Sequence, residues 1–290
     1  MRRKGFTLIE LLVVIAIIGL LLAIIIPALG AVKEYASVAN CLSSQKNLAT
    51  AFIMYTSDND DKFCSGYVFQ DANRRNPLSW VIAPIAYDAA GGWIYVGNGD
   101  AGGGQLNLDA RLNGIREGAL YPYLEATDMF HCPGDRRLVK GASANWGPNI
   151  PARYYQIYRS YGMPDFYAVH DSVDGVRNKA KTLSSIRSGG QRILFVEDQY
   201  DSNYFNSDAW SYIPYDRAFW DPLGNYHNKS CTFSFIDGHA ELYKWRDKRS
   251  IEFMSNRALA KQNGYGKGDV QVGNVDFEWL DAHYPAKTRF

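Results

Sequence analysis

Four groups of side chains in this sequence are of types that do chemistry. Glu10 lies in the run FTLIELLVVIAIIGLLLAIIIPALG, where it is the one charged residue. His227, Asp237 and His239 supply a base, an orienting carboxylate and a second imidazole. Cys41, Cys64, Cys132 and Cys231 are candidates for disulfides or for metal ligation, and Asp58, Asp60 and Asp61 offer hard oxygen ligands.

Spacing tests each group. From His227 to Asp237, ten steps of extended chain at about 3.3 Å cover roughly 30 Å, whereas a base and its orienter must lie about 3 Å apart. Asp237 is therefore assigned to a turn, and His227 to a local cap or surface contact. The cysteines lack paired C-x-x-C spacing, so no metal is expected; in an exported domain at least one disulfide is, with three complete pairings open. The acidic run SDNDDK lacks the glycine and distal glutamate of a calcium-binding loop and reads as a solvated turn. The glycines of GGWIYVGNGDAGGGQ are followed by no Gly-Lys-Ser/Thr and read as a surface loop. No motif of an enzyme class is present, no cofactor is expected, and the chain reads as non-enzymatic. With 31 basic and 30 acidic residues, no net field argues for nucleic acid as a partner.

Glu10 needs a different kind of explanation. Residues 6–27 form a segment of 22, which as a helix spans the roughly 30 Å hydrocarbon core of a bilayer. Arg2, Arg3 and Lys4 precede it, which keeps the amino terminus cytoplasmic and sends the rest across. A secretory signal peptide, cut near Ala28-Leu29-Gly30, has a shorter apolar region and leaves Glu10 unexplained. A plain signal anchor leaves a charge in the bilayer that costs about 2.5–3.5 kcal/mol on insertion scales. A third reading puts a cytoplasmic cut between Gly5 and Phe6. Glu10 then becomes the fifth residue of the mature chain, within reach of the new amino group of a neighbouring subunit.

The stretch KGFTLIELLVVIAIIGLLLAIIIPAL resembles the processing signal of type IV prepilins and type II secretion pseudopilins. The resemblance implies cleavage by a prepilin peptidase after Gly5, N-methylation of Phe6, an assembly role for Glu10 and a helix that commonly kinks at Pro27. It implies other pilin or pseudopilin subunits and the lipid bilayer as partners, and a single-pass place in a bacterial inner membrane. The globular domain would then lie in the periplasm or on the cell surface within a filament. Further along, His227, nine intervening residues and Asp237-Gly238 resemble the H-X9-DG signature of a group of pseudopilin-like bacterial proteins. NCLSSQKNLATAFIMYTSDND, GALYPYL, FHCPGD, SYGM and HNKSCTFSFIDGHAELYKW are similar to that group's recurring segments. An alternative class is a membrane-anchored binding module for a polysaccharide or other extracellular polymer, using aromatics such as Trp80, Trp93 and Tyr95.

These residues need a scaffold. Leu29, Val32, Ala36, Ala39, Leu42, Ala49, Phe52 and Tyr55 recur at helical intervals, so one helix is expected to about Thr56. RILFVED reads as a buried strand, and SCTFSFIDGHAELYKW as a hairpin with a two-residue type I′ turn at Asp237-Gly238. That turn opposes Phe235 to Ala240 and Phe233 to Leu242, and puts all four on the core face. The expected fold is α+β: a long pilin-like helix, transmembrane in its first half, packed on a globular domain with an antiparallel sheet. The expected organisation is a leader at 1–5, the helix at 6–57 and the domain at 58–290, with a loop-rich insertion at 63–118.

Overall fold

The computed structural model describes residues 7–66, 68, 79–82, 85–87, 89, 93–95, 108–135, 138–140, 154–156, 159–167, 182–199, 210, 212–213, 218–219, 221–255 and 271–285. Its architecture is α+β. Helix α1 (Leu8–Asp58) runs through Pro27 without interruption. It stops where Asn59 donates its N–H to the Thr56 carbonyl and where Asp60 and Asp61 take φ of 54° and 64°. Short polar side chains tolerate that left-handed backbone better than others do, so SDNDDK ends the helix as a turn. Asp61 then accepts hydrogen bonds from the Ser184 N–H and hydroxyl.

The helix has two halves of different character. Residues 7–33 are all exposed, and the apolar side chains among them are not covered by any of the described residues. Cys41 is the first buried residue, and from there Gln45, Leu48, Ala49, Phe52 and Tyr55 line the face that packs on the domain. The apolar stripe expected from Leu29 to Ala39 is therefore not a packing face. Leu29 and Val32 are exposed, because among the described residues the domain meets α1 from Glu34 onward.

The central sheet is antiparallel in the order β10-β9-β6-β5, comprising β5 (Tyr161–Gly162), β6 (Ile193–Glu197), β9 (Ser230–Phe235) and β10 (Ala240–Lys244). RILFVED supplies β6, buried along its whole length. The hairpin forms where expected, but with one more residue in its turn. Gly238 donates its N–H to the Phe235 carbonyl and Phe235 donates to His239, so Ile236, Asp237 and Gly238 form a three-residue loop. Only Gly238, at φ 90°, has positive φ, as in a type I turn followed by a left-handed glycine. The extra residue moves β10 by one position: Phe233 opposes Glu241, Thr232 opposes Leu242 and Cys231 opposes Tyr243. A shift of one exchanges faces. Leu242 is consequently 40% exposed, and Tyr243 takes its place in the core beside Phe233.

Both faces of the sheet are covered. On one, the α1 side chain of Gln45 donates to the Thr232 carbonyl at 2.9 Å. On the other, Trp279 of helix α4 (Val275–His283) stacks on Tyr243 and meets Phe233 edge-on. Asn274 caps α4 through the N–H groups of Asp276 and Phe277. Asp276 in turn accepts from Tyr243 and from the backbone of Arg246 and Asp247, which fixes the way into helix α3 (Lys248–Ser255). Helix α2 (Leu108–Arg116) and two-stranded pairs β1 (Ile85–Tyr87) with β2 (Trp93–Tyr95), β3 (Leu138–Lys140) with β4 (Tyr154–Gln156), and β7 (Tyr212–Ile213) with β8 (Ala218–Phe219) flank this core. Trp80 is fully buried between Phe130 and Phe195, so it is a core residue and not an exposed platform. The side chains of Trp93 and Tyr95, and most of GGWIYVGNGDAGGGQ, lie outside the described residues.

Candidate functional site

At the amino terminus, Gly5 and Phe6 lie outside the described residues. Glu10 does not hang free at the head of the apolar helix. Its Oε2 accepts from the Thr7 N–H and from the Thr7 hydroxyl, both at 2.8 Å, while the Thr7 Oγ1 accepts from the Glu10 N–H at 3.3 Å. This reciprocal capping box satisfies donors that would otherwise be orphaned at the start of α1. The T-x-x-E spacing before an apolar run carries that signal in the sequence. Both Thr7 bonds use one oxygen, Oε2.

The junction of α1 with the domain gathers chemistry that the sequence did not reveal. Glu34, Ser37 and Cys41 recur at helical spacing along one face of α1. Opposite them, the 3-10 turn Asp128–Phe130 leads into Cys132-Pro133-Gly134, and Cys132 is disulfide-bonded to Cys41 with their Cα atoms 5.4 Å apart. That meets the expectation of at least one disulfide, while Cys64 and Cys231 stay reduced and buried. Burial pushes the Cys64 and Cys231 thiols well up, away from reactivity. Gly134 donates its N–H to Cys132 Sγ at 3.3 Å. A Cβ on Gly134 would come within 2.8 Å of His227 Cε1 and 3.1 Å of Ser37 Oγ, so the loop seats against α1 only without a side chain there.

His227 is the centre of this junction. The expectation of a surface contact is wrong: the residue is 2% exposed. Asn228 and Lys229, at φ of 48° and 62°, turn the chain sharply between His227 and β9 and bring the imidazole inward. Its Nε2 is 3.0 Å from Glu197 Oε1 and 3.2 Å from Cys132 Sγ, and its Nδ1 is 3.6 Å from Glu34 Oε1. Glu197, fully buried at the end of β6, also accepts the Thr232 N–H through Oε2 at 3.0 Å. Burial works against the imidazolium, but the hydrogen bond and charge of Glu197, with Glu34 behind them, outweigh it and raise the His227 pKa. Glu197 had a sequence signal of its own, since a carboxylate closing a buried strand must find a partner.

Cys41, Cys132, Glu197 and His227 thus bring four ligand-type atoms within 4.8 Å of one another, all in buried residues. The other residues of the H-X9-DG stretch are elsewhere. Asp237 accepts the His239 N–H at 3.2 Å and contacts its Nδ1 at 2.5 Å, and both residues are exposed. His227 and Asp237 therefore have different partners, and Gly238 serves the turn.

Comparison with known proteins finds two similarities. Residues 1–26 match the family model described as the prokaryotic N-terminal methylation motif. Over 59 residues the chain is 41% identical to the type II secretion system core protein G of Pectobacterium carotovorum subsp. carotovorum. The match covers 20% of this chain and 38% of the length of that relative. No solved structure matches the chain.

Proposed function

We propose that this chain is a non-enzymatic pilin-like subunit, a pseudopilin of a type II secretion or type IV pilus-like filament. It enters the inner membrane by α1, with the domain on the periplasmic or outer side. The observation that carries the reading is the first half of α1: residues 7–33 are apolar but for Thr7, Glu10 and Lys33, all exposed, and long enough to cross a bilayer. The methylation-motif match and the likeness over 59 residues to a type II secretion system core protein G support the same reading.

In this scheme a prepilin peptidase cuts between Gly5 and Phe6, Phe6 becomes N-methylated, and Glu10 meets the new amino group of an adjacent subunit. Oε1 makes that contact while Oε2 keeps Thr7. The binding-module alternative loses one of its proposed platform residues, because Trp80 fills the core. Processing is the direct test. Gly5→Val should leave the leader attached, since a pocket shaped for a hydrogen does not admit a branched side chain. Intact mass decides: a Gly5→Val protein starting at Phe6, or a parent starting elsewhere than Phe6, overturns the proposal.

A further inference from the structure

The absence of C-x-x-C spacing led to the expectation of no metal, but spacing along the chain is a poor guide when ligands come from four separate elements. Cys41 comes from α1, Cys132 from the loop after Phe130, Glu197 from β6 and His227 from the turn before β9. We propose that, once the Cys41–Cys132 bond is reduced, these four side chains bind one zinc-like divalent cation. The same junction then exists in two forms, cross-linked by sulfur or by metal.

The geometry is close to what a tetrahedral ion requires. Zinc–sulfur bonds of about 2.3 Å and zinc–nitrogen or –oxygen bonds of about 2.0–2.1 Å place ligand sulfur and nitrogen about 3.5 Å apart, and nitrogen and oxygen about 3.3 Å apart. His227 Nε2 lies 3.2 Å from Cys132 Sγ and 3.0 Å from Glu197 Oε1. One imidazole nitrogen thus already faces both a sulfur and a carboxylate oxygen. The two sulfurs must part, to about 3.8 Å in a tetrahedral site. Backbones 5.4 Å apart at Cα allow that by side-chain rotation.

The surroundings match those that orient metal ligands. Glu34 stands behind the other imidazole nitrogen at 3.6 Å, and neither Glu34 Oε1 nor His227 Nδ1 has a hydrogen bond among the described residues. With Nε2 on the metal, Nδ1–H donates to Glu34 and completes a carboxylate–histidine–metal arrangement. Glu197 keeps the Thr232 N–H on its second oxygen, and Cys132 keeps the Gly134 N–H, which steadies a thiolate. Two thiolates, an imidazole and a carboxylate select zinc over calcium or magnesium. Four buried protein ligands leave no open position for water, which is the mark of a structural centre.

The chemistry balances. A dithiol reductant gives two electrons to the Cys41–Cys132 bond and becomes a cyclic disulfide, leaving two cysteine thiols. The cation then displaces one proton from each thiol, and the proton on Nε2 is lost as that nitrogen becomes a ligand.

The test uses the full chain in detergent, reduced with a dithiol, desalted anaerobically and titrated with Zn2+ against a chromophoric chelator and with Co2+ by absorption. One equivalent of zinc per chain and a thiolate-to-cobalt charge-transfer band are expected from the reduced protein, and neither from the oxidised protein. Cys132→Ser should weaken zinc binding at least 100-fold, and Glu34→Gln 10- to 100-fold with the band retained. The parent measurement stands whether or not a variant folds. The proposal is overturned if the reduced parent takes up no stoichiometric zinc. It is equally overturned if a Cys41→Ser/Cys132→Ser protein gives the same band, which would assign the thiolates to Cys64 and Cys231.

Discussion

Replacing Cys41 and Cys132 together by serine, with a chelator present to exclude metal, removes the covalent link between α1 and the domain. The two cysteines are 91 residues apart in sequence. In the chain-entropy treatment, a loop of that length gives about 4.6 kcal/mol at 25 °C through restriction of the unfolded chain. For a domain of this size that corresponds to a fall in Tm of roughly 10 °C. Urea unfolding of the detergent-solubilised full chain, followed by tryptophan fluorescence, reads the loss, because Trp80 and Trp245 are buried in the core. Chemically reduced parent in the same chelator should unfold within about 1 kcal/mol of the double variant, since the cross-link and not the sulfur atoms supplies the difference. A double variant as stable as the oxidised parent would refute the reasoning, because the constraint would then restrict nothing that unfolding releases.

Glu10→Leu should insert and be processed normally but enter filaments poorly, as judged by sheared-filament yield against membrane content; normal incorporation would remove the assembly role. Gly238→Val should cost about 2–3 kcal/mol, since a β-branched residue must be forced to the φ of 90° held by Gly238, and thermal unfolding measures it. His227→Ala in the oxidised protein should cost about 3 kcal/mol or more, because it strands the buried Glu197 carboxylate, and a loss under 1 kcal/mol would contradict the burial described above.

Long periodic signals read true in this sequence, and long-range pairings did not. The extent of α1, its stop at SDNDDK and the buried β6 all followed from local pattern, because each is decided by residues within a few positions. The hairpin shows the boundary of that method. Asp237-Gly238 located the turn, but admitting Ile236 into the loop is a choice between two local geometries, and it reversed the faces of β10. The junction site was not legible as a site. Glu34 and Cys41 share a face of α1, but Cys132, Glu197 and His227 come from separate elements with no spacing that links them to it, and the resemblance marked His227 without supplying its partner. His227 is buried because its partner is not Asp237, ten residues away, but Glu197, thirty residues upstream on β6.

Helix α1 is continuous from the apolar segment into the core, and this makes the molecule a lever with one fixed end. The free arm, from Leu8 to Glu34, is roughly 40 Å of unbroken helix. A pull that draws this arm from a lipid layer is delivered first to the clamp at Glu34, Cys41 and His227, ahead of the residues that pack from Gln45 onward. Force along the axis loads that clamp in shear, so its bonds share the strain instead of parting one after another. A covalent bond at the first point of load keeps the arm and the domain moving as one body, and the packing beyond it is shielded from the traction.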